Sequence, residues 1–235
     1  MTIAAPPAIA HVREVPELAQ VPADSLQALQ QLGVVRTLQD GQTLQLYGDE
    51  VGHVALVLSG LLMVGSTDQA GRSHIVLPIG AGQFFNLLPV FDGGPALHEA
   101  HASGSAVLML FEARAFLQLV RADRALHEAF LQIIFYRNRL LYAELNAIAL
   151  MPMRQRCARV LLHILQTTQS TQPATAQAAR EIRVSQTELA QMLGYARPAI
   201  NRELQRLARE GVLDLNYLRI RITDMEALRR IAERA

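Results

Sequence analysis

Arg197, Asn201, Arg202 and Gln205 are interleaved at helical spacing with Ile200, Leu204 and Leu207. On a helix the three apolar side chains face inward and leave the polar four at or beside the opposite face. A guanidinium there can donate two hydrogen bonds to guanine O6 and N7 or hold a phosphate, and a carboxamide can pair with adenine. A helix N-terminus carrying these groups suits the DNA major groove. Other chemistries are poorly furnished. The seven histidines include His98 and His101, spaced i, i+3 after a proline-containing turn, with His53 and His74 elsewhere. A metal- or haem-dependent sensor built on them is the alternative to surface or structural histidines, and this spacing alone assigns no metal ligand. Cys157, the single cysteine, permits no internal disulfide and holds no zinc or iron–sulfur centre by itself. Arg154, Arg156 and Arg159 around it would favour a reactive thiolate, whereas its setting among helical residues predicts a small buried side chain. There is no lysine, no Ser-His-Asp set and no glycine-rich phosphate loop before a helix. No catalytic residue is therefore assigned. A cupin-like metal enzyme, the rival from another class, lacks its paired histidines followed by Glu on one strand.

The elements that position the polar four follow from local chemistry. Ser185-Gln186-Thr187-Glu188 has the form of a capping box and predicts a helix start, with Leu189, Ala190 and Leu193 on its buried face. Gly194 allows a tight turn, and Arg197-Pro198 opens a second helix, where proline in the first turn is tolerated. After Gly211, the alternation from Val212 to Ile222 around about Asn216 predicts a hairpin wing.

Upstream, short apolar runs are punctuated by glycine-containing turns. The runs are Thr43 to Leu46, Val54 to Leu58, Leu61 to Val64, Ile75 to Leu77, Phe84 to Leu88 and Ala106 to Phe111; the turns include Ser59-Gly60 and Asp92 to Pro95. Without intervening helices, this pattern predicts an antiparallel, jelly-roll-like β-roll and an α+β chain. From Phe116 to about Leu150, Leu126, Phe130, Ile133, Ile134, Leu141, Leu145 and Ile148 form a broad apolar stripe on one long helix. Two copies packed along it are the simplest cover, the alternative being a core helix of the same chain. Pro152 ends or kinks that helix and predicts a hinge at residues 151–153. Beyond a further helix around Val160 to Leu165, Thr167 to Ala179 reads as a flexible loop.

Composition agrees with a folded protein: 235 residues, 51% apolar, 18% charged. The charge is divided unevenly. Residues 1–151 carry 8 Arg against 13 acids, net −5; residues 152–235 carry 14 Arg against 8 acids, net +6. A basic C-terminal third behind an acidic body is the footprint of a nucleic-acid-binding module. No long apolar span or basic, apolar leader is evident, so a cytoplasmic protein without membrane contact is expected.

The chain resembles the Crp/Fnr superfamily of bacterial transcription regulators from about Leu38 to Leu228. The resemblance is carried by Gly41, Gly48-Asp49, Leu56 to Gly60, Gly71-Arg72 and Gly80 to Phe85. It is carried further by Thr187 to Ala190, Leu193-Gly194, Arg197, Arg202-Glu203-Leu204, Leu207 and Gly211 to Leu213. It implies a homodimer with a sensor β-roll (1–115), a dimer helix (116–151) and a winged helix-turn-helix (152–235). Its partners would be double-stranded DNA with a palindromic site, a small-molecule effector of unknown identity, and RNA polymerase. By the same resemblance, Arg197 and Arg202 contact bases and phosphates, and Ser185, Gln186 and Thr187 face phosphates. The effector region would comprise Phe84, Phe85, Asn86, Leu87, Ala96 and Leu97. In cyclic-nucleotide-binding members, Gly-Glu and an Arg followed by a small residue stand where this chain has Asn86-Leu87 and Ala96-Leu97. Cyclic AMP in the usual pose is therefore not expected. Nor is an iron–sulfur cluster, for which the N-terminal region has no cysteine. Pro198 replaces the Glu that follows the first Arg in the best-known cyclic-AMP-responsive members, which implies a different half-site.

Overall fold

The computed structural model describes residue 15 and residues 18–67, 73–169, 180–216 and 219–233. The chain divides into two compact units, residues 1–64 with 79–141, and residues 65–78 with 142–235.

The first unit opens with α1 (Ala23–Gln31) and β1 (Gly33–Leu38), followed by β2 (Thr43–Gln45), β3 (His53–Thr67), β4 (Ser73–Gly80), β5 (Phe84–Phe85), α2 (Leu87–Asp92) and β6 (Glu99–Glu112). The antiparallel sheet runs β1-β6-β3-β4, with β2 paired to β6 and β5 to β3. The distal parts of β3 and β4, residues 65–78, group with the second unit. The expected Ser59-Gly60 turn is instead part of the continuous strand β3. Ala55 and Val57 line the sheet's inner cluster before this point and Leu62 and Val64 after it, so the alternation shifts by one residue, as a bulge would shift it. Gly60 has φ +82°, and a Cβ there would lie 2.3 Å from the Ser105 carbonyl oxygen, so a close backbone approach requires the glycine.

The expected strand Phe84 to Leu88 is also shorter. Asn86 takes a left-handed conformation, φ 67°, which asparagine tolerates better than most residues, and α2 begins after it. Val54, Leu56 and Leu58 on β3 face a second cluster with α1 and the helices after β6. Its centre is aromatic: Phe130 packs edge-on against Phe84 and Phe116, with centroids 5.1 and 5.0 Å apart.

The long helix expected from Phe116 is two helices, α3 (Ala113–Ala122) and α4 (Arg124–Leu150). Asp123 between them is extended and its carboxylate accepts from the Leu126 amide at 3.1 Å, stopping one helix and capping the next. The apolar stripe is thereby divided. Leu126, Phe130 and Ile133 pack into the chain's own core, Ile134 is partly buried against it, and Leu141, Leu145 and Ile148 remain more than half exposed.

The second unit contains α5 (Met153–Gln169), β7 (Glu181–Arg183), α6 (Gln186–Leu193), α7 (Arg197–Arg209), β8 (Leu213–Asn216), β9 (Arg219–Ile222) and α8 (Met225–Glu233). Pro152 separates α4 from α5, as its missing amide and bulky ring require. The first three residues of the expected Thr167 to Ala179 loop complete α5, where the Thr167 hydroxyl donates to the His163 carbonyl at 2.9 Å. Residues 170–179 lie outside the described residues. The wing is a β8–β9 hairpin with β7 added at its edge, in the order β7-β9-β8.

Candidate nucleic-acid interface

The capping box forms as its sequence predicts. The Ser185 hydroxyl accepts from the Glu188 amide at 3.1 Å, and the Glu188 carboxylate accepts from the Ser185 amide at 2.7 Å. Leu189, Ala190 and Leu193 bury one face of α6, and Gly194, at φ 70°, ends it in the left-handed region. The chain then re-enters a helix at Arg197-Pro198. Ala196 supplies no side-chain cap; Pro198 has no amide to satisfy, and the Ala199 amide donates to the Ala196 carbonyl at 2.9 Å.

Ile200, Leu204 and Leu207 are fully buried on the inner face of α7. Arg197, Arg202, Gln205, Arg206 and Arg209 are exposed, and Asn201 is partly buried. The helix thus places Arg197, Asn201 and Gln205 along one line and Arg202, Arg206 and Arg209 along the next. Asn201 is already engaged: its Oδ1 accepts from Gln186 Nε2 at 3.1 Å. Bidentate pairing with adenine uses both the oxygen and the nitrogen of a carboxamide, and the Asn201 oxygen keeps a second lone pair for it while Gln186 holds the first. This bond links the start of α6 to the N-terminal half of α7. Of the other residues expected at phosphates, Ser185 is committed to the cap and Thr187 is exposed.

A second group of residues escaped the sequence reading. Glu203 sits on α7 itself but is turned inward, only 8% exposed, where Arg154 Nη1 on α5 meets its carboxylate at 3.0 Å. The same guanidinium engages Glu210 just beyond α7, and Arg206 Nε also bonds Glu210 at 3.2 Å. Hydrogen bonding to Arg154 holds the Glu210 carboxyl below its ordinary range, with the Arg206 charge assisting. The consequence is electrostatic. Neither acid of this segment lies unpaired on the outward side of α7, which is left to arginine and amide groups. The available signal was spacing, because Glu203 falls between Ile200 and Leu207 on the buried stripe.

The wing adds Arg219, whose Nη1 bonds Glu181 at 3.1 Å across β9 and β7. Arg156 is buried on α5 and stacks over the Tyr195 ring at 5.3 Å, which fixes the turn between α6 and α7. Cys157 beside it is 1% exposed; burial, reinforced by Glu203, pushes its thiol up to about 12. It is a core residue rather than a ready thiolate.

His53 is exposed, His98 and His101 are partly exposed on the segment leading through β6, and His74 Nδ1 lies 2.6 Å from the Gln191 carbonyl oxygen within the second unit. Among the described residues no group of three or more His, Cys, Asp or Glu is placed to hold a metal ion.

Two family models match the chain, the cyclic nucleotide-binding domain over residues 35–123 and the Crp-like helix-turn-helix domain over residues 155–231. The chain is a Crp/Fnr-family transcription regulator. A CRP-like cAMP-activated global transcriptional regulator of Mycobacterium tuberculosis is 23% identical over 82% of this chain and 85% of its own. The cyclic AMP receptor protein of Thermus thermophilus is 25% identical over 84% and 87%. Among solved structures, a CRP-family transcriptional regulator from Thermus thermophilus superposes with a TM-score of 0.70 at 25% identity, covering 85% of this chain and 97% of that one. FixK2 of Bradyrhizobium japonicum shares the fold, with a TM-score of 0.72 at 17% identity over 86% and 98%. These are relatives of regulators and not of enzymes.

In this Crp/Fnr regulator, the side chains of the expected effector region, Phe84, Phe85, Asn86, Leu87, Ala96 and Leu97, carry no charge. Leu87 is 2% exposed in the core, and Ala96 is 1% exposed. Leu97 reaches the surface as a hydrocarbon. Phe84 and Phe85 are likewise buried, in the two separate clusters. Asn86 spends its amide internally: it donates to Gln45 Oε1 at 2.6 Å and to the His53 carbonyl at 3.3 Å, while Gln45 Nε2 donates to Asn86 Oδ1 and the His98 carbonyl. This amide clasp joins β2, the end of β5 and the segment before β6. It supplies neither a carboxylate for a sugar diol nor a cation for a phosphate.

Proposed function

We propose that this regulator acts as a homodimer on a two-fold-symmetric DNA site, reading each half-site with α7 and doing so without cyclic AMP in the usual pose. The observation that carries the reading is the sorting of charge on α7. Arg154 draws Glu203 inward and shares Glu210 with Arg206, leaving Arg197, Arg202 and Arg209 outward beside Asn201 and Gln205 without an acidic partner among the described residues. Such a face gains from counterion release on a phosphate backbone and carries groups that discriminate base edges. Ser185, Gln186 and Thr187 at the start of α6 flank it towards the phosphates. Residues to about 115 form the sensor roll, residues 116–151 carry the dimer contact, and residues 152–235 form the DNA-binding module.

The exposed Leu141, Leu145 and Ile148 support self-association along α4, and Ile134 extends the same line. An effector in the roll would meet Asn86 and Leu97 rather than a carboxylate and a guanidinium, so an uncharged or apolar ligand suits the region better than a nucleotide. Such a ligand would shift the populations of alternative placements of the DNA-binding modules about Pro152. RNA polymerase is the second macromolecular partner consistent with the family, and the cytoplasm is the compartment in which all of these partners meet.

The test is selection of bound sequences from random duplex DNA by the purified protein, without ligand and at fixed, near-physiological salt. The expected product is one palindromic motif with half-sites about one helical turn apart. Recovery of an asymmetric motif would remove the two-fold reading, and recovery of unselected DNA would remove effector-free recognition.

A further inference from the structure

The outward face of α4 repeats every three and four residues: Leu131, Ile134, Asn138, Leu141, Leu145 and Ile148. This is the spacing of a two-stranded coiled-coil seam, with Leu131, Asn138 and Leu145 in one row and Ile134, Leu141 and Ile148 in the other. The seam lies beside the row that holds Leu126, Ala129, Phe130 and Ile133 in the chain's own core, and Ile134 at its near edge is itself partly buried against that core. Phe135 and Tyr142, 54% and 64% exposed, flank it on one side and would widen the apolar contact. Asn138 is the sole polar side chain among these six seam positions, and it too is exposed in the single chain.

Resting on the homodimer reading above, we propose that Asn138 sets the orientation and register of that dimer. Its carboxamide meets the same carboxamide of a second copy across the two-fold axis. In a parallel, in-register pair, equivalent positions of this row face each other, so each amide finds a donor and an acceptor in its counterpart. An antiparallel pair sets one row against the other and would bury the amide against isoleucine or leucine without a partner. A parallel pair slipped by one heptad would set Asn138 against Leu131 or Leu145, with the same penalty. The polar position thus discriminates between arrangements that a wholly apolar seam would tolerate, at some cost in strength.

Its place along the helix gives the choice a consequence for the roll. The preceding residue, Arg137, donates to the Phe84 carbonyl on β5, one residue from Phe85 and two from the Asn86 clasp. The register fixed at Asn138 therefore sits one residue from the point where the helix holds the effector strand.

The experiment places a reporter cysteine in the seam, Leu145→Cys in a Cys157→Ala background, and compares that chain with one also carrying Asn138→Leu. Each is oxidised under equilibrating thiol–disulfide exchange and sized by sedimentation equilibrium, alongside the natural chain. The expected result is a natural chain that is strictly dimeric, nearly complete 145-to-145 cross-linking with Asn138 present, and a several-fold lower yield or species larger than dimers with Asn138→Leu. Equal cross-linking and a strict dimer in both would overturn the role of Asn138 while leaving the dimer standing. A monomeric natural chain would overturn the homodimer reading and this inference with it.

Discussion

Pro198 stands where, by the family resemblance, the best-known cyclic-AMP-responsive members carry Glu. It occupies the first turn of α7, where a missing amide costs little and the fixed φ is already helical. A glutamate in that position accepts from cytosine N4, and proline has no acceptor on its side chain. On the proposed reading, neighbouring Arg197 and Asn201 discriminate the half-site without an acidic partner. Pro198→Glu should restore a preference for cytosine at one base pair in each half-site, worth roughly 1–3 kcal/mol against the wrong base. Binding to a panel of single-base operator variants measures it. An unchanged preference would mean that the first turn of α7 lies outside hydrogen-bonding reach of the bases. The helix should tolerate the change, because an acid in the first turn is favoured by the helix dipole.

At the scale of elements, α5 belongs to the unit that presents α7, and one of its residues is expected to make that unit sensitive to acid. His163 has its Nε2 enclosed without a hydrogen-bond partner among the described residues. Burial lowers its pKa below the ordinary value near 6.5, and Glu144 on α4 opposes the shift only in part. A histidine whose folded pKa is depressed is protonated more readily in the unfolded chain, so stability is present above the unfolded value and falls as pH drops below it. The urea midpoint of the intact protein should therefore decline between about pH 7.5 and about pH 5.5 more steeply than that of His163→Leu, in which this titration is absent. Parallel declines would assign the acid sensitivity to other groups.

The elements differ in how much of this the chain order betrays. The capping box at Ser185, the turn at Gly194 and the break at Pro152 depend on local bonds, and each is legible from the residue types alone. The apolar stripe of α4 is legible as a stripe, but its division is not. Whether Phe130 meets Phe84 and Phe116 or a second copy is decided by residues distant in sequence. The same cause hides Gly60, whose glycine answers a close approach by Ser105 on another strand and only resembles a turn signal. Asp123 is the exception, a local cap with a readable chemistry inside an otherwise continuous helical pattern. The inward turn of Glu203 becomes visible only once Arg154 is set opposite it.

For the whole molecule, charge separation and symmetry meet in one measurement. Net −5 over residues 1–151 and +6 over residues 152–235 disfavour the approach of the N-terminal half to DNA and favour the C-terminal half. The affinity should then fall steeply with salt, because each guanidinium set on a phosphate releases counterions, with a slope of about −0.9 in log K against log salt per contact. A substitution in a homodimer on a symmetric site is made twice. Arg202→Ala should thus weaken binding at every salt concentration and reduce the slope by about 1.8 if Arg202 holds a phosphate in both half-sites, while leaving the sedimentation of the protein unchanged. A reduction of about 0.9 would show that only one protomer engages the backbone there and would sink the symmetric model. Weaker binding at an unchanged slope would move Arg202 from the phosphates to the base edges, where loss of a bidentate guanine contact relaxes specificity without altering the ion count. Loss of the dimer itself would place Arg202 on a structural face, contrary to its exposure on α7.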